Sequence, residues 1–351
     1  MFSLGAALAV APDVASAQSD PFYKGKRLTV LINFSAGGPT DIEGRLFAKH
    51  LVKHIDGAPS IVIQNMDGAG GVVGAKYMGE VAPRDGTMAG YFTGTAFMYA
   101  LDPERFRVDF KSYEFVATPA GTTVHFVRTD VPPGMKDPAD IVKAQGLVAG
   151  GLTADTSKDL RMRMVLDMLG VTYKYVTGYR SSSAARLAFQ RGEVNMFSES
   201  PPSYRSVVHP GIVKEGLAIP VWHEAERGAL AAKPVADLPI APFDEVFKAV
   251  KGRAPEGPLW DAFRTVRTVS GTMIRILALP PGAPKPAVDA LRAAVMRMNS
   301  DPVYAADAIK TIGFVPEYAT GPNTNHEVRT ALTVTPQMRA FLADYVKKAN
   351  R

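Results

Sequence analysis

Glycines and hydroxyl-bearing residues follow the ends of four predicted strands. FSAGGPTD, residues 34–41, comes directly after the apolar run LTVLIN and before a segment with the apolar spacing of a helix. The other such turns are MDGAGGVVG, TGTA and TGYRSSSA. Glycine lets the backbone approach a ligand closely, and the first N–H groups of a helix attract anions. The pattern predicts backbone cradles for a carboxylate or another small anion, with Thr40 or Asp41 capping a helix that Pro39 enters.

Three short motifs suggest other chemistry. GAGGVVG lacks the G-x-G-x-x-G spacing of a dinucleotide site. NFSAG resembles a nucleophile elbow in which Asn33 replaces the first glycine, so a serine hydrolase using Ser35 stays open as an alternative. His50 and His54 have the i, i+4 spacing of metal ligands, but the lysines beside them disfavour a metal, and a solvated helix face is the simpler interpretation. We predict neither a cofactor nor a metal site.

The composition excludes several classes of function. Lys and Arg number 40 against 34 Asp and Glu, a net charge of +6, but the basic residues are scattered and form no dense run. The charge is therefore a mild attraction for anions and does not indicate nucleic-acid binding. The absence of cysteine removes thiol catalysis, disulfides and cysteine-based zinc sites.

Residues 1–17 have the features of a secretory signal. FSLGAALAVA is too short to span a membrane, and VASAQ offers Ala15 and Ala17 as an A-x-A cleavage site. No positively charged segment precedes it, which leaves the true start codon open. We expect cleavage near Ala17 and export of a soluble mature protein to the periplasm.

Strand-like and helix-like segments alternate from Lys26 onward. The first set is RLTVLINF, a helix from Thr40 to about Ile55, SIVIQN, GAKYMGEVA, AGYFTG and YEFVATPA. The second set is HFVRTD, LVAGG, a helix over 158–169, YKYVTG, a helix over 183–191 and VNMFSE. This alternation predicts an α/β fold with parallel sheets covered by helices, arranged in two lobes.

The remainder of the chain begins with a Pro-rich, polar stretch over about 231–260, which predicts loops. MIRILALPPGAPKPAVDALRAAVMRMNSD then predicts a strand, a turn and an amphipathic helix from about Pro286, and GFVPEYA and a helix over 336–348 follow. We assign residues 18–122 to the first part of lobe 1, 123–225 to lobe 2, and 226–351 to the second part of lobe 1.

Several of these segments together resemble a known family, the substrate-binding receptors of tripartite tricarboxylate transporters, or Bug-type periplasmic solute-binding proteins. FSAGGPTDIEGRLFAKHL is similar to the family motif P-F-x-A-G-G-x-x-D, and IVIQNMDGAGGVVGAKYM to V-x-N-x-x-G-A-G-G-x-x-G. APRDGTMAGYFTGT, YVTGYRSSSAARLAFQRGEVNMFSESPPS and LALPPGAPKPAVDAL resemble three further motifs. The resemblance covers nearly the whole mature chain.

The resemblance implies a Venus flytrap fold of type II-like form, in which two lobes joined by two crossovers close on a small organic carboxylate. The family holds the carboxylate with backbone N–H groups and ordered waters. Carried over to this chain, the ligand-binding residues are Phe34, Ser35, Ala36, Gly37, Gly38, Thr40 and Asp41 in the first loop, and Tyr179, Arg180, Ser181, Ser182 and Ser183 in the second. The residues expected at the distal part of the ligand or near the crossover are Thr93, Gly94, Thr95, Thr153, Thr156, Ser157 and Glu199.

Three departures from the family pattern concern specificity. Ser181 and Ser182 replace paired glycines, and the segment 151–160 replaces a turn that usually ends in His-Leu. The stretch over about 231–260 is also longer than usual. The carboxylate cradle survives these changes, whereas the distal specificity does not transfer.

The sequence thus predicts a monomeric receptor without enzymatic activity, which delivers a small organic carboxylate to integral-membrane transporter subunits. A receptor that presents its ligand to a sensor kinase is the alternative. The sequence leaves open whether the ligand is an aliphatic dicarboxylate, an aromatic acid, an amino acid or a neutral compound.

Overall fold

The computed structural model of the chain describes residues 20–119, 121–179, 182–224, 235 and 238–348. The predicted signal segment 1–17, with its cleavage site, lies outside the described residues. Arg180 and Ser181 of the second predicted loop and part of the Pro-rich stretch also lie outside them.

Eleven strands and twelve α-helices are present in the described part of the chain. The strands are β1 (Arg27–Ile32), β2 (Ser60–Asn65), β3 (Met88–Thr93), β4 (Glu114–Pro119), β5 (Val124–Arg128), β6 (Leu147–Gly150), β7 (Tyr173–Val176), β8 (Met196–Glu199), β9 (Ala218–His223), β10 (Arg275–Leu279) and β11 (Tyr318–Ala319). The helices are α1 (Pro39–Leu51), α2 (Val72–Glu80), α3 (Thr95–Leu101), α4 (Ser157–Leu169), α5 (Ser182–Gln190), α6 (Pro201–Ser203), α7 (Phe243–Lys251), α8 (Pro258–Arg267), α9 (Lys285–Asn299), α10 (Pro302–Ile312), α11 (Thr324–Ala331) and α12 (Pro336–Lys348).

The strands form two sheets, and this confirms the predicted α/β fold class. The first sheet has the order β11-β4-β10-β3-β1-β2, and the second has the order β7-β6-β8-β5-β9. The chain therefore crosses between the sheets twice, after β4 and again before β10. Pairs β1–β2 and β1–β3 are parallel, as are β6–β7 and β6–β8.

The prediction of parallel sheets holds for these pairs only, because both sheets are mixed. Strand β10 runs antiparallel to both β3 and β4, and β5 runs antiparallel to both β8 and β9. Strand β10 follows the five strands of the second sheet in the chain and joins the first sheet between β3 and β4. Its direction is therefore set by the side from which the chain returns to the first sheet. A right-handed crossover helix, which produces parallel neighbours, does not connect β10 to either of its partners.

The apolar run of β1 is continuous because both faces of its sheet are covered. Val30 packs in a cluster with Phe47 of α1 and Leu291 of α9, whereas Leu31 packs in a different cluster with Phe92 of β3. Successive side chains of a strand point to opposite faces, which is why neighbouring residues enter separate clusters. Burial on both faces holds the carboxyl end of β1 firmly in place.

The stretch predicted as loops contains helix α7. Phe243, Val246, Phe247 and Val250 have helical spacing and face the apolar core, a signal that the prolines on either side obscured. The Phe243 ring lies 5.8 Å from the ring of Trp222 in β9. Helices α7 and α8 also contact α4, so this part of the chain packs against elements of the second sheet.

None of the helices among the described residues has both the length and the apolar character needed to cross a membrane.

Candidate ligand-binding site

The loop after β1 enters helix α1 as expected but is capped differently. Pro39 occupies the first turn, and the preceding Gly38 has extended dihedrals of φ −81° and ψ 168°. No side chain caps the helix, so the prediction that Thr40 or Asp41 does so is wrong. Both residues lie inside the first turn, where the carboxylate of Asp41 reaches back and accepts a hydrogen bond of 2.8 Å from Gly37 N.

Asp41 is the centre of a polar cluster beneath this loop. Its carboxylate also accepts from Arg45 Nε at 2.8 Å and from Asn65 Nδ2 at 2.8 Å. Burial alone would raise the pKa of Asp41, but the hydrogen bonds from Arg45, Gly37 and Asn65 lower it below the usual value. Asp41 therefore stays ionised and supports the loop, and its negative charge is offset by Arg45.

The exposed part of the loop presents backbone donors. Ser35, Ala36 and Gly37 are exposed. The amide of Gly37 is occupied by Asp41. Within the part of the chain that the structure describes, the amides of Ser35 and Ala36 donate to no protein atom. These two N–H groups lie next to the positive end of α1 and are free to bind an anion.

Asn33 holds this loop against two others, and sequence reasoning did not assign it that role. Its side chain is fully buried. Nδ2 donates to Gly71 O at 3.1 Å, to Thr93 O at 3.0 Å and to Thr95 Oγ1 at 3.2 Å, while Oδ1 accepts from Thr93 N at 2.9 Å. The available signal was an amide side chain directly at the end of an apolar strand, where a buried polar group must find partners.

The position of Gly71 in the second turn leaves no room for a side chain. Its φ is +93°, a conformation that L side chains rarely adopt, and a Cβ there would collide with the amide of Asn33. Gly71 thus makes room for Asn33. In the third turn, Thr93 Oγ1 donates to Thr40 Oγ1 at 3.1 Å, so the structure brings the predicted residues of the first and third turns together.

Ser35 has a carboxylate as its partner. Its hydroxyl donates to Asp67 Oδ2 at 2.7 Å, and among the described residues no histidine contacts it. His50 and His54 bind separate aspartates, with Nε2 of His50 2.8 Å from Asp307 Oδ2. His50 is buried, so the interpretation of this pair as a solvated helix face is wrong for His50.

The turn between β6 and α4 is stabilised by its own hydroxyl groups. Thr153 Oγ1 donates to Asp155 Oδ1 at 2.6 Å, and Thr156 Oγ1 donates to Thr153 O at 3.0 Å. Helix α4 begins at Ser157. Asp159 accepts a hydrogen bond of 2.9 Å from the hydroxyl of Tyr175, and burial raises the pKa of this carboxyl group.

The second predicted loop leads into α5, which begins at Ser182. Tyr179 is half-buried and packs against the apolar cluster of the second sheet. Ser182 Oγ accepts from Lys158 Nζ at 3.3 Å, and Ser183 Oγ accepts from Arg186 at 3.1 Å. Lys158 and Arg186 are charged residues at this edge that the sequence did not single out.

Glu199, at the end of β8, does not present a free carboxylate. Its side chain is almost completely buried and forms an ion pair with Arg186 of α5. Next to it, Lys158 Nζ donates to Ser198 O at 3.1 Å. The carboxyl end of the second sheet is therefore more positive than the predicted site residues alone indicate.

The two sheets place polar turns at the carboxyl ends of their strands, where ligands of open α/β sheets bind. No family model matches the chain. A UPF0065 protein of Agrobacterium vitis is 29% identical over 193 residues, and the chain spans only about half of that relative, 54%. A UPF0065 protein of Cupriavidus necator is 26% identical over 276 residues, 74% of this chain and 80% of that protein.

Several solved solute-binding proteins share the fold of this chain. A TctC solute-binding protein from Polaromonas has a TM-score of 0.65 at 17% identity, covering 93% of this chain and 99% of its own. A Rhodopseudomonas palustris protein with adipate has a TM-score of 0.61 at 19% identity, covering 93% and 98%. MatC from the same organism, with bound malate, has a TM-score of 0.56 at 21% identity, covering 93% and 98%. The predicted resemblance to tripartite tricarboxylate-type receptors is confirmed, and the fold is the one these proteins share.

Proposed function

We propose that the chain is a periplasmic receptor that captures a small organic carboxylate between its two sheets and delivers it to integral-membrane transporter subunits. The observation that carries this proposal is the pair of exposed amides at Ser35 and Ala36, which have no acceptor among the described residues. They lie at the start of α1 on a loop that Asn33 fixes, so they are ready to bind an anion without rearrangement.

The fold and the relatives support the same proposal. Malate and adipate are small dicarboxylates, and each is present in a structure that shares this fold. Proteins of this fold include a periplasmic binding protein, BugD, which supports export of this chain and the use of residues 1–17 as its signal. We propose that the protein binds its ligand without chemical change and acts as a monomer.

Binding proceeds in two steps. The loop from residue 34 to 38 first binds the carboxylate on lobe 1, built from residues 18–122 and 226–351. Lobe 2, residues 123–225, then closes over the bound ligand. Closure is driven only by contacts that the ligand makes better in the closed form than in the open form.

Isothermal titration tests this function. The mature protein is titrated with malate, adipate, succinate and benzoate, and we expect saturable binding of at least one of them. Analysis of the ligand by NMR after the titration should find it unchanged. Ser35→Ala should weaken binding, because the hydroxyl borders the free amides, but an enzyme using Ser35 would instead lose turnover. Failure to bind any carboxylate would refute the proposal.

A further inference from the structure

Lys158 lies where two helices of the second sheet begin. It is in the first turn of α4, and its Nζ is 3.1 Å from Ser198 O at the end of β8 and 3.3 Å from Ser182 Oγ at the start of α5. The same Nζ is 4.2 Å from the centroid of the Phe197 ring. This position is the carboxyl edge of the parallel strands, where ligands of open α/β sheets bind.

The ammonium group of Lys158 lacks a carboxylate partner among the described residues. Arg161 is paired with Glu224, and Arg186 is paired with Glu199, but no carboxylate of the described chain pairs with Lys158. A lysine has three N–H donors, and the hydroxyl and carbonyl account for two of them. The carboxylates of Glu199 and Asp159 attract this ammonium group without forming an ion pair with it, whereas burial and the positive ends of α4 and α5 disfavour its charge.

The side chain remains accessible from outside. Lys158 is half-buried, so part of it still reaches the surface. Burial lowers the pKa of Lys158, as expected for a cation in these surroundings. An anion that enters from solvent would supply a direct ion-pair partner and accept the remaining N–H.

We propose that Lys158 is a specificity-determining residue that binds an anionic group of the ligand from the second sheet. The inference rests on the proposed receptor function and deepens it. Backbone amides of the first loop hold one carboxylate, and Lys158 selects ligands that carry a second acidic group. The competing explanation is that Lys158 has only a structural role, in which it connects β8 to α5 by hydrogen bonds.

Matched diacids and monoacids separate these explanations. Adipate with hexanoate, and succinate with butyrate, are titrated into the wild type and into Lys158→Gln. We expect the wild type to prefer a diacid over its monoacid by about tenfold or more, the range of one hydrogen bond to a charged group. Lys158→Gln should lose that preference while keeping its affinity for the monoacid, and Lys158→Arg should retain most of it. Lys174→Gln removes the same charge from an exposed position on β7 and should leave the preference intact.

Proton uptake is a readout that a structural role would not change. The charged groups nearest Lys158 are Asp159, Glu199, Arg161 and Arg186. All four belong to the protein itself, whereas an added ligand carboxylate is a new negative charge that raises the pKa of Lys158. Binding of a diacid at alkaline pH should therefore take up protons in the wild type and not in Lys158→Gln, measured by titration in buffers of different ionisation enthalpy.

The outcomes distinguish this inference from the receptor function itself. An unchanged diacid preference in Lys158→Gln, or equal proton uptake in both proteins, would overturn the role of Lys158 alone. A wild type that binds monoacids but no diacids would also overturn the role of Lys158. Absence of binding to every acid would overturn both proposals.

Discussion

Asn33 is the residue whose loss most directly tests how the site is built. In Asn33→Ala, four interactions disappear at once: three from Nδ2 to Gly71 O, Thr93 O and Thr95 Oγ1, and one from Thr93 N to Oδ1. Alanine is too short to replace any of them. Asn33 itself is fully buried, whereas Thr93 is half-buried.

The size of the effect follows from these contacts. Nδ2 has only two N–H groups for its three acceptors, so the four contacts count as about three hydrogen bonds. Each hydrogen bond contributes about 1 kcal/mol net to stability. Leaving the backbone groups of Thr93 unsatisfied adds to this loss, so we expect Asn33→Ala to reduce the free energy of unfolding by about 3–5 kcal/mol. A domain with a stability of about 10 kcal/mol, the middle of the usual range, would still fold. Ligand affinity should fall as well, because the three turns lose their common support.

Urea denaturation and isothermal titration measure the two effects, and Asn299→Ala is the matched control. Asn299 also spans two backbone groups, donating from Nδ2 to Tyr318 O at 2.8 Å and accepting from Tyr318 N at 3.1 Å. It contacts none of the turns of the site, so this variant should lose about 2 kcal/mol of stability and keep its ligand affinity. If Asn33→Ala were no less stable than Asn299→Ala and bound the ligand equally well, Asn33 would not organise the site.

Two further predictions concern the loop backbone and acid stability. Gly37 has φ +78° and no atom near the position of a Cβ, so Gly37→Ala should lose about 1–2 kcal/mol of stability through backbone strain alone and should weaken carboxylate binding. Gly38→Ala, at φ −81°, should do neither. Equal affinities of the two variants in ligand titrations would contradict this prediction. Burial lowers the pKa of His223 from 6.5 to about 4, so the unfolded chain takes up the proton first, and stability present above about pH 6.5 is lost as the pH falls towards 4. The loss attributable to His223 should be about 3 kcal/mol, and urea midpoints of His223→Gln that follow the same pH profile as the wild type would contradict it.

Local patterns located most of the elements. Strand β2 covers SIVIQN as expected, and helix α12 begins at Pro336 and ends at Lys348 as expected, because the periodicity of apolar residues and the position of proline are local properties of the chain. Helix α7 was missed, since prolines near it resemble loop signals. The direction of β10 could not be predicted, because it depends on the path of the chain through the second sheet.

Some features of the candidate site could likewise be predicted from the sequence, and others could not. The amino-acid sequence by itself determined which turns carry glycine and hydroxyl groups, and it placed them after strands, because turn chemistry depends on neighbouring residues. Only the tertiary structure decided that Asp41 occupies the amide of Gly37 while those of Ser35 and Ala36 have no acceptor among the described residues. It also decided that Asn33 supports turns about sixty residues away and that Lys158 lacks a carboxylate partner in the described chain. These pairings arise when residues distant in sequence meet in space, and no local pattern specifies which buried polar group will find a partner.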